Sequence, residues 1–196
     1  IIKELNKKSL FSKSTQGVTI LDFDDTLATT KSKIRFTKPD GTTGSLNAEQ
    51  YAKNYQDLTD KGYVWDFSEF NDVVEGKIAP LFNKALKLQG KFGTQNMFVL
   101  TARPAAAQAA IHAFLKANGL NIPLENITGL GNSTSEAKAL WIADKVAQEG
   151  YNDVYFADDA EQNVQAVENI LDQMGVKRKT TLADPLFSLS TRFNTI

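Results

Sequence analysis

Three aspartates follow a short apolar run, where Val18-Thr19-Ile20-Leu21 leads into Asp22-Phe23-Asp24-Asp25-Thr26. A second apolar run, Met97-Phe98-Val99-Leu100, ends in Thr101-Ala102-Arg103. A third, Val154-Tyr155-Phe156-Ala157, ends in Asp158-Asp159. Five carboxylates at two such ends would repel one another unless a cation sat among them. An all-oxygen donor set with room for water suits Mg2+. The same set suits phosphoryl transfer. A metal and fixed donors neutralise the phosphate oxygens, and a carboxylate can serve as nucleophile through an aspartyl-phosphate.

These groups can act together only if the three runs lie side by side. Each run is short and apolar, the pattern of a buried strand. Helical patterns follow the later ones. Ala107, Ala110, Ile111, Phe114 and Leu115 recur at helical spacing up to Gly119, residues 133–148 form a second helix closed by Gly150, and residues 160–173 form a third. Further strands are expected at 96–101, 126–128, 153–157 and 176–181. Alternating strands and helices predict a Rossmann-like three-layer α/β fold with a parallel sheet. Sites in such sheets gather beyond the carboxyl ends of the strands, where the acids fall.

The chain between Leu27 and the second run reads as an insertion. A hairpin spans 32–46 with Pro39-Asp40-Gly41 at its turn. Asn47 caps a helix through Tyr51 and Tyr55, and a further helix is expected at 78–88, ended by Gly90 and Gly93. Lys31, Lys33 and Arg35 share one hairpin face, either solvated or turned inward as an anion-attracting flap. Tyr51, Tyr55, Tyr63, Trp65, Phe67 and Phe70 read as the insertion's small core, with a stacking surface as the rival reading. The expected organisation is a basic tail over 1–17, a catalytic domain over 18–175 with the flap and small cap at 28–90, and a last strand and tail over 176–196.

Composition narrows the chemistry. The 196 residues contain no Cys, which excludes disulfides, thiolate metal sites and cysteine nucleophiles, and the single His112 excludes multi-His sites. No apolar run reaches the roughly 20 residues of a membrane span. The net charge of −1 hides an uneven distribution: the first 17 residues carry four Lys and one Glu, the last 21 carry four basic residues and Asp184, and residues 18–175 hold −7. That acidity disfavours nucleic acid as a partner of the core. The chain opens Ile1-Ile2-Lys3 without Met, so a segment of a longer polypeptide is expected.

The motifs together resemble the haloacid dehalogenase (HAD) superfamily. Asp22-Phe23-Asp24-Asp25-Thr26 looks like its DxDxT motif, Thr101 its second motif, Lys138 its third and Asp158-Asp159 its acidic fourth. The resemblance spans about residues 17–175. It implies that Asp22 attacks phosphorus and that Asp24 serves as general acid, then base. It implies Mg2+ held by Asp22, the Asp24 carbonyl and Asp158, with Asp159 as a ligand or neighbour. Thr101 and the N–H groups of the Ala102–Arg103 turn would hold the phosphoryl, and Lys138, with Lys145 as rival, would offset charge. Arg103 would reach a substrate anion or pair on the surface. Asp25 replaces a Gly common in the family, and Asn163 stands where an additional acid sometimes appears.

The implied activity is Mg2+-dependent hydrolysis of a phosphomonoester, on a small molecule or a terminal phosphate. Two alternatives stand beside it. One is a HAD-fold structural or binding module inside a larger assembly protein, in keeping with a likeness of the wording around Thr101–Pro104 and Phe156–Ala160 to phage-encoded modules. The other is a phosphotransferase. The expected location is cytoplasmic, or virion-associated if the chain is phage-encoded.

Overall fold

A computed structural model describes residues 14–184; residues 1–13 of the tail expected at 1–17, and residues 185–196 of the strand and tail expected at 176–196, lie outside the described residues. Five parallel strands make the central sheet: β1 (Gly17–Leu21), β7 (Met97–Thr101), β8 (Ile127–Gly129), β9 (Asp153–Asp158) and β10 (Lys177–Leu182). Their order is β10-β9-β1-β7-β8. The chain thus builds outward from β1 in both directions, which makes the β1 carboxyl end the switch point of the sheet.

Side-chain alternation along the strands sends residues to two separate cores. Leu21, Met97 and Val99 face α2 (Phe82–Phe92) and α3 (Gln108–Ala117), packing with Phe82, Ala85, Ile111 and Leu115. Ile20, Phe98 and Leu100 face the other way, toward α4 (Ser135–Glu149) and α5 (Glu161–Gln173), packing with Ile142, Val146, Val164 and Val167. The result is the expected three-layer α/β architecture.

Two element boundaries differ from expectation for local reasons. The helix expected at 78–88 starts only at Phe82, because residues 77–78 form a strand and Pro80 disfavours helical backbone before it. Gly90 lies inside this helix, and Gly93, at φ +74°, ends it. Pro104 does not enter α3; its extended backbone precedes a 3-10 turn, Ala105–Ala107, that leads into the helix.

The insertion leaves and returns through a two-strand stem, β2 (Ala28–Thr29) antiparallel to β6 (Lys77–Ile78). Beyond the stem lies a second sheet of β3 (Ile34–Thr37), β4 (Thr43–Leu46) and β5 (Val64–Asp66), in the order β4-β3-β5. One helix, α1 (Ala48–Asp60), accompanies it, with a capping box between Asn47 and Gln50. No residue of α1 is buried. Aromatic rings pack the helix to the sheet instead: Tyr51 meets Trp65 and Phe67 edge-on at 5.0 and 5.4 Å, and Phe36 lies 5.0 Å from Tyr63.

Candidate active site

Register fixes which strand ends meet. Leu21 pairs with Ala157 on one side and Val99 on the other, so Asp22 stands level with Asp158, with Thr101 one residue further out on β7. The Asp22 N–H donates to the Ala157 carbonyl at 2.9 Å, extending the ladder to the site itself. Oxygen atoms of Asp22, Asp158 and Asp159 all lie within 4.8 Å of one another.

A single cation is embedded among them. Lys138 enters from the first turns of α4, whose N-terminus Thr134 caps by accepting from the Ala137 N–H. Its Nζ donates to Asp22 Oδ1 at 2.8 Å and to Asp158 Oδ2 at 2.7 Å. Burial alone would lower the Lys138 pKa, but the charges of Asp22 and Asp158 outweigh it and hold it above its ordinary value. Lys145, the rival lysine, instead lies over the Phe98 and Trp141 rings and faces Glu149 at 3.8 Å.

Each carboxylate has further partners. Thr26 Oγ1 donates to Asp22 Oδ2 at 2.9 Å. Asp158 accepts from the Ala160 N–H at 2.9 Å and from Asn163 Nδ2 at 3.1 Å. Asn163 therefore braces Asp158. Burial pushes the Asp22 carboxyl well above the usual range; Lys138 opposes this, while the charges of Asp158 and Asp159 add to it. Burial and the charges of Asp158 and Asp25 raise Asp159 to about 6, against a hydrogen bond with Asp22 that pulls it down.

The donor set fits a hard divalent cation. Three carboxylates against one ammonium leave two negative charges in a largely buried cluster, and every offered ligand atom is an oxygen. Mg2+ would be held by Asp22, Asp158 and Asp159 among the described side chains.

The loop after β1 turns sharply. The N–H groups of Thr26, Leu27 and Ala28 all converge on the Phe23 carbonyl, and Asp25 adopts φ +60°. That left-handed backbone favours Gly and is tolerated by Asp, which explains why a Gly is common in the resembling motif and why Asp25 can replace it.

The Asp24 carboxylate is not part of the Asp22–Asp158–Asp159 cluster and is held by Arg103 instead. The expectation that Arg103 reaches a substrate anion or pairs on the surface differs from what is observed. Arg103 is 4% exposed and is wedged between the rings of Phe23 and Phe70, at 5.3 and 5.0 Å. Its Nε and Nη2 bind the two oxygens of Asp24 at 2.7 and 2.8 Å. Nη1 donates to the carbonyls of Phe70 and Asp72, and Nη2 also to Thr30 Oγ1. All five guanidinium N–H groups are thereby used. The pattern could not announce this, because Arg103 and Asp24 are 79 residues apart and the carbonyls belong to the insertion.

Thr101 is buried, and its Oγ1 accepts from the Arg103 N–H at 3.1 Å, which leaves its own O–H to donate. Gly129 lets this loop sit close to β8: a Cβ there would stand 2.3 Å from the Pro104 carbonyl oxygen. Between core and insertion lies a cleft of about 850 Å³, lined by Asp24, Asp25, Ala102 and Arg103 on the core side and by Tyr51, Phe67 and Phe70 on the other. Lys31 and Lys33 also line it, and with Arg35 they line a second cavity; Arg35 is paired with Glu69 at 2.9 Å and Lys31 with Glu75 at 3.5 Å. His112 sits within α3, away from these groups. Thr26 and Thr30 were given no role by sequence; only their spacing from Asp22, four and eight residues on, hinted at a loop folding back.

No helix among the described residues is long and apolar enough to cross a membrane. No family model and no curated protein sequence matches the chain. Solved structures similar to it include a HAD-superfamily hydrolase from Ehrlichia chaffeensis, at 9% identity and a TM-score of 0.47, covering 93% of this chain and 98% of that one. They also include the HAD domain of effector protein Lem4 from Legionella pneumophila, at 16% identity and a TM-score of 0.46, covering 93% of this chain and 94% of that one.

Proposed function

We propose that the chain is a Mg2+-dependent phosphomonoester hydrolase of HAD type, working through an aspartyl-phosphate on Asp22. The observation that carries this reading is the buried Asp22–Lys138–Asp158 cluster at the sheet's switch point, with Asp24 at the neighbouring cleft. A merely structural module has no need to bury two carboxylates against one lysine with a third carboxylate beside them, since such a cluster costs desolvation energy. Bound Mg2+ would neutralise charge on the carboxylates and the phosphate.

The roles of the chain's own groups follow from position. Asp22 attacks phosphorus with a carboxylate oxygen, forming an acyl phosphate as the ester oxygen departs. Lys138 opposes the protonation that burial favours at Asp22 and faces the incoming phosphate charge. The Thr101 hydroxyl donates to a phosphoryl oxygen. Asp24 gives its proton to the leaving oxygen, then takes one from the water that cleaves the phosphoenzyme. Water as the phosphoryl acceptor in the second step makes the reaction hydrolysis; transfer to an alcohol instead would be the phosphotransferase variant.

Turnover of a generic aryl phosphate with Mg2+, against Asp22→Asn and against chelator, tests the proposal. Expected is activity that needs Mg2+ and Asp22, with a mass gain of one phosphoryl on the protein when Asp24→Asn slows the second step. A folded, Mg2+-binding protein that turns over none of a broad phosphate panel overturns it.

A further inference from the structure

The cleft wall contributed by the insertion is aromatic, and it stands opposite the group proposed to protonate the leaving oxygen. We infer that the insertion selects phosphomonoesters whose alcohol carries a flat aromatic ring, a reading that rests on the hydrolase proposal above.

Phe67 remains 41% exposed although it lies in a cleft with two other aromatic rings of the insertion, Tyr51 and Phe70. Its partner Tyr51 holds it edge-on at an interplanar angle of 88°, and Tyr51 is itself fixed by Tyr55, stacked at 5.4 Å, and by Trp65, edge-on at 5.0 Å. Phe67 is therefore oriented by a braced neighbour rather than buried as a core residue. A fixed, partly bare ring can take a second ring with little loss of side-chain freedom. Phe70, the other ring on this wall, already covers the Arg103 guanidinium with one face.

The wall is tied to the chemistry by direct contacts. Phe70 accepts from Arg103 through its carbonyl, and Arg103 grips Asp24. A leaving oxygen at Asp24 thus has its alcohol group facing the insertion, across one arginine from the aromatic wall. Lys33 at the same cleft adds positive charge suited to an anionic ester, whereas Lys31 is paired with Glu75 at 3.5 Å. The shared chemistry is a π-face on the alcohol, and it could come from an aryl group close to the ester oxygen or from a nucleoside base set further out.

Matched pairs separate the ring from leaving-group reactivity. Benzyl phosphate is compared with cyclohexylmethyl phosphate, and adenosine 5′-monophosphate with ribose 5-phosphate, by kcat/KM in the native protein, Phe67→Ala and Phe67→Leu. Binding of benzylphosphonate and cyclohexylmethylphosphonate to the Mg2+-loaded protein is measured in parallel by calorimetry, because it reports selection without turnover. The aromatic member of at least one pair is expected to be favoured by about fivefold to tenfold. That preference falls toward unity in Phe67→Ala and stays reduced in Phe67→Leu, which keeps the bulk without the ring. Preference in the benzyl pair alone identifies an aryl ester, and preference in the nucleotide pair alone a nucleotide. Equal values within both pairs and equal phosphonate affinities overturn the inference, as does a preference that survives Phe67→Ala. Selective phosphonate binding with no turnover of any ester would uphold the selection and reject the hydrolase reading.

Discussion

Both carboxylate oxygens of Asp24 are held by one side chain, Arg103, through a two-point contact at 2.7 and 2.8 Å. The remaining guanidinium donors reach Thr30, Phe70 and Asp72, all in the insertion or its stem. Arg103 therefore couples the position of Asp24 to that of the insertion. Lysine keeps the charge but cannot reproduce the planar fork.

Substitution at this position should accordingly act through Asp24. For Arg103→Lys, kcat on an alkyl phosphate should fall by about a hundredfold, the scale of a small misplacement of a reacting group. The loss should be distinctly smaller on p-nitrophenyl phosphate, whose leaving oxygen needs little protonation. Equal losses on the two substrates would instead mean a general structural defect.

Removing the embedded cation should cost both activity and stability. Lys138→Met keeps side-chain bulk but leaves Asp22 and Asp158 facing each other without it. Breaking a buried pair in this way costs roughly 3–5 kcal/mol. Urea unfolding without divalent cations should show that loss, and Mg2+ should recover more stability in the variant than in the native protein.

Proton and metal should compete for the same cluster. Burial raises Asp22 well above the usual range and raises Asp159 to about 6. A carboxyl raised on folding stabilises the metal-free protein below its unfolded pKa, and that contribution is lost as pH climbs through the folded value. The cation prefers the ionised form. The gain in Tm on adding Mg2+ should thus grow from pH 5 to pH 7 and then level off. A pH-independent gain would place the ion elsewhere.

Gly129→Ala should destabilise the chain although it touches no acidic group. Its Cβ would meet backbone atoms of Pro104 and Arg103, at 2.3 to 2.8 Å, and backbone cannot swing aside as a side-chain tip can. Overpacking of this kind costs about 1–3 kcal/mol. Thermal unfolding would register it, together with a fall in kcat, because the displaced loop carries Arg103.

The acids and the lysine were legible because each follows or begins a strongly patterned element. Asp22 and Asp158 close apolar strands, and a parallel sheet allows few ways to bring such ends together. Lys138 could be picked out by its place near the start of a helix, but only the packing of α4 against the sheet separates it from Lys145, which is seven residues on and faces the rings of Phe98 and Trp141. The burial of Arg103, which replaces the expected surface pairing, was hidden for a related reason. Its partners come from two distant stretches of chain, 24–30 and 70–72, and an arginine after a strand carries no local mark of the acceptors it will find. The aromatics of the insertion were ambiguous in sequence because one set of residues does both jobs. Trp65 and Tyr63 pack among themselves, while Phe67 and Phe70 reach the cleft.

The helix without buried residues has a consequence for how the molecule breathes. An element that hides no side chain draws its order from its own backbone bonds and a few ring contacts, and it opens at a far smaller free energy than the strands beneath. The stem has only two paired residues on each side, and beside it the Arg103 contacts tie the insertion to the core, so the outer sheet and helix are expected to open before the central sheet does. Their amides should exchange with solvent while those of β1 and β9 remain protected, so that the entrance to the cleft fluctuates many times for every global unfolding of the core.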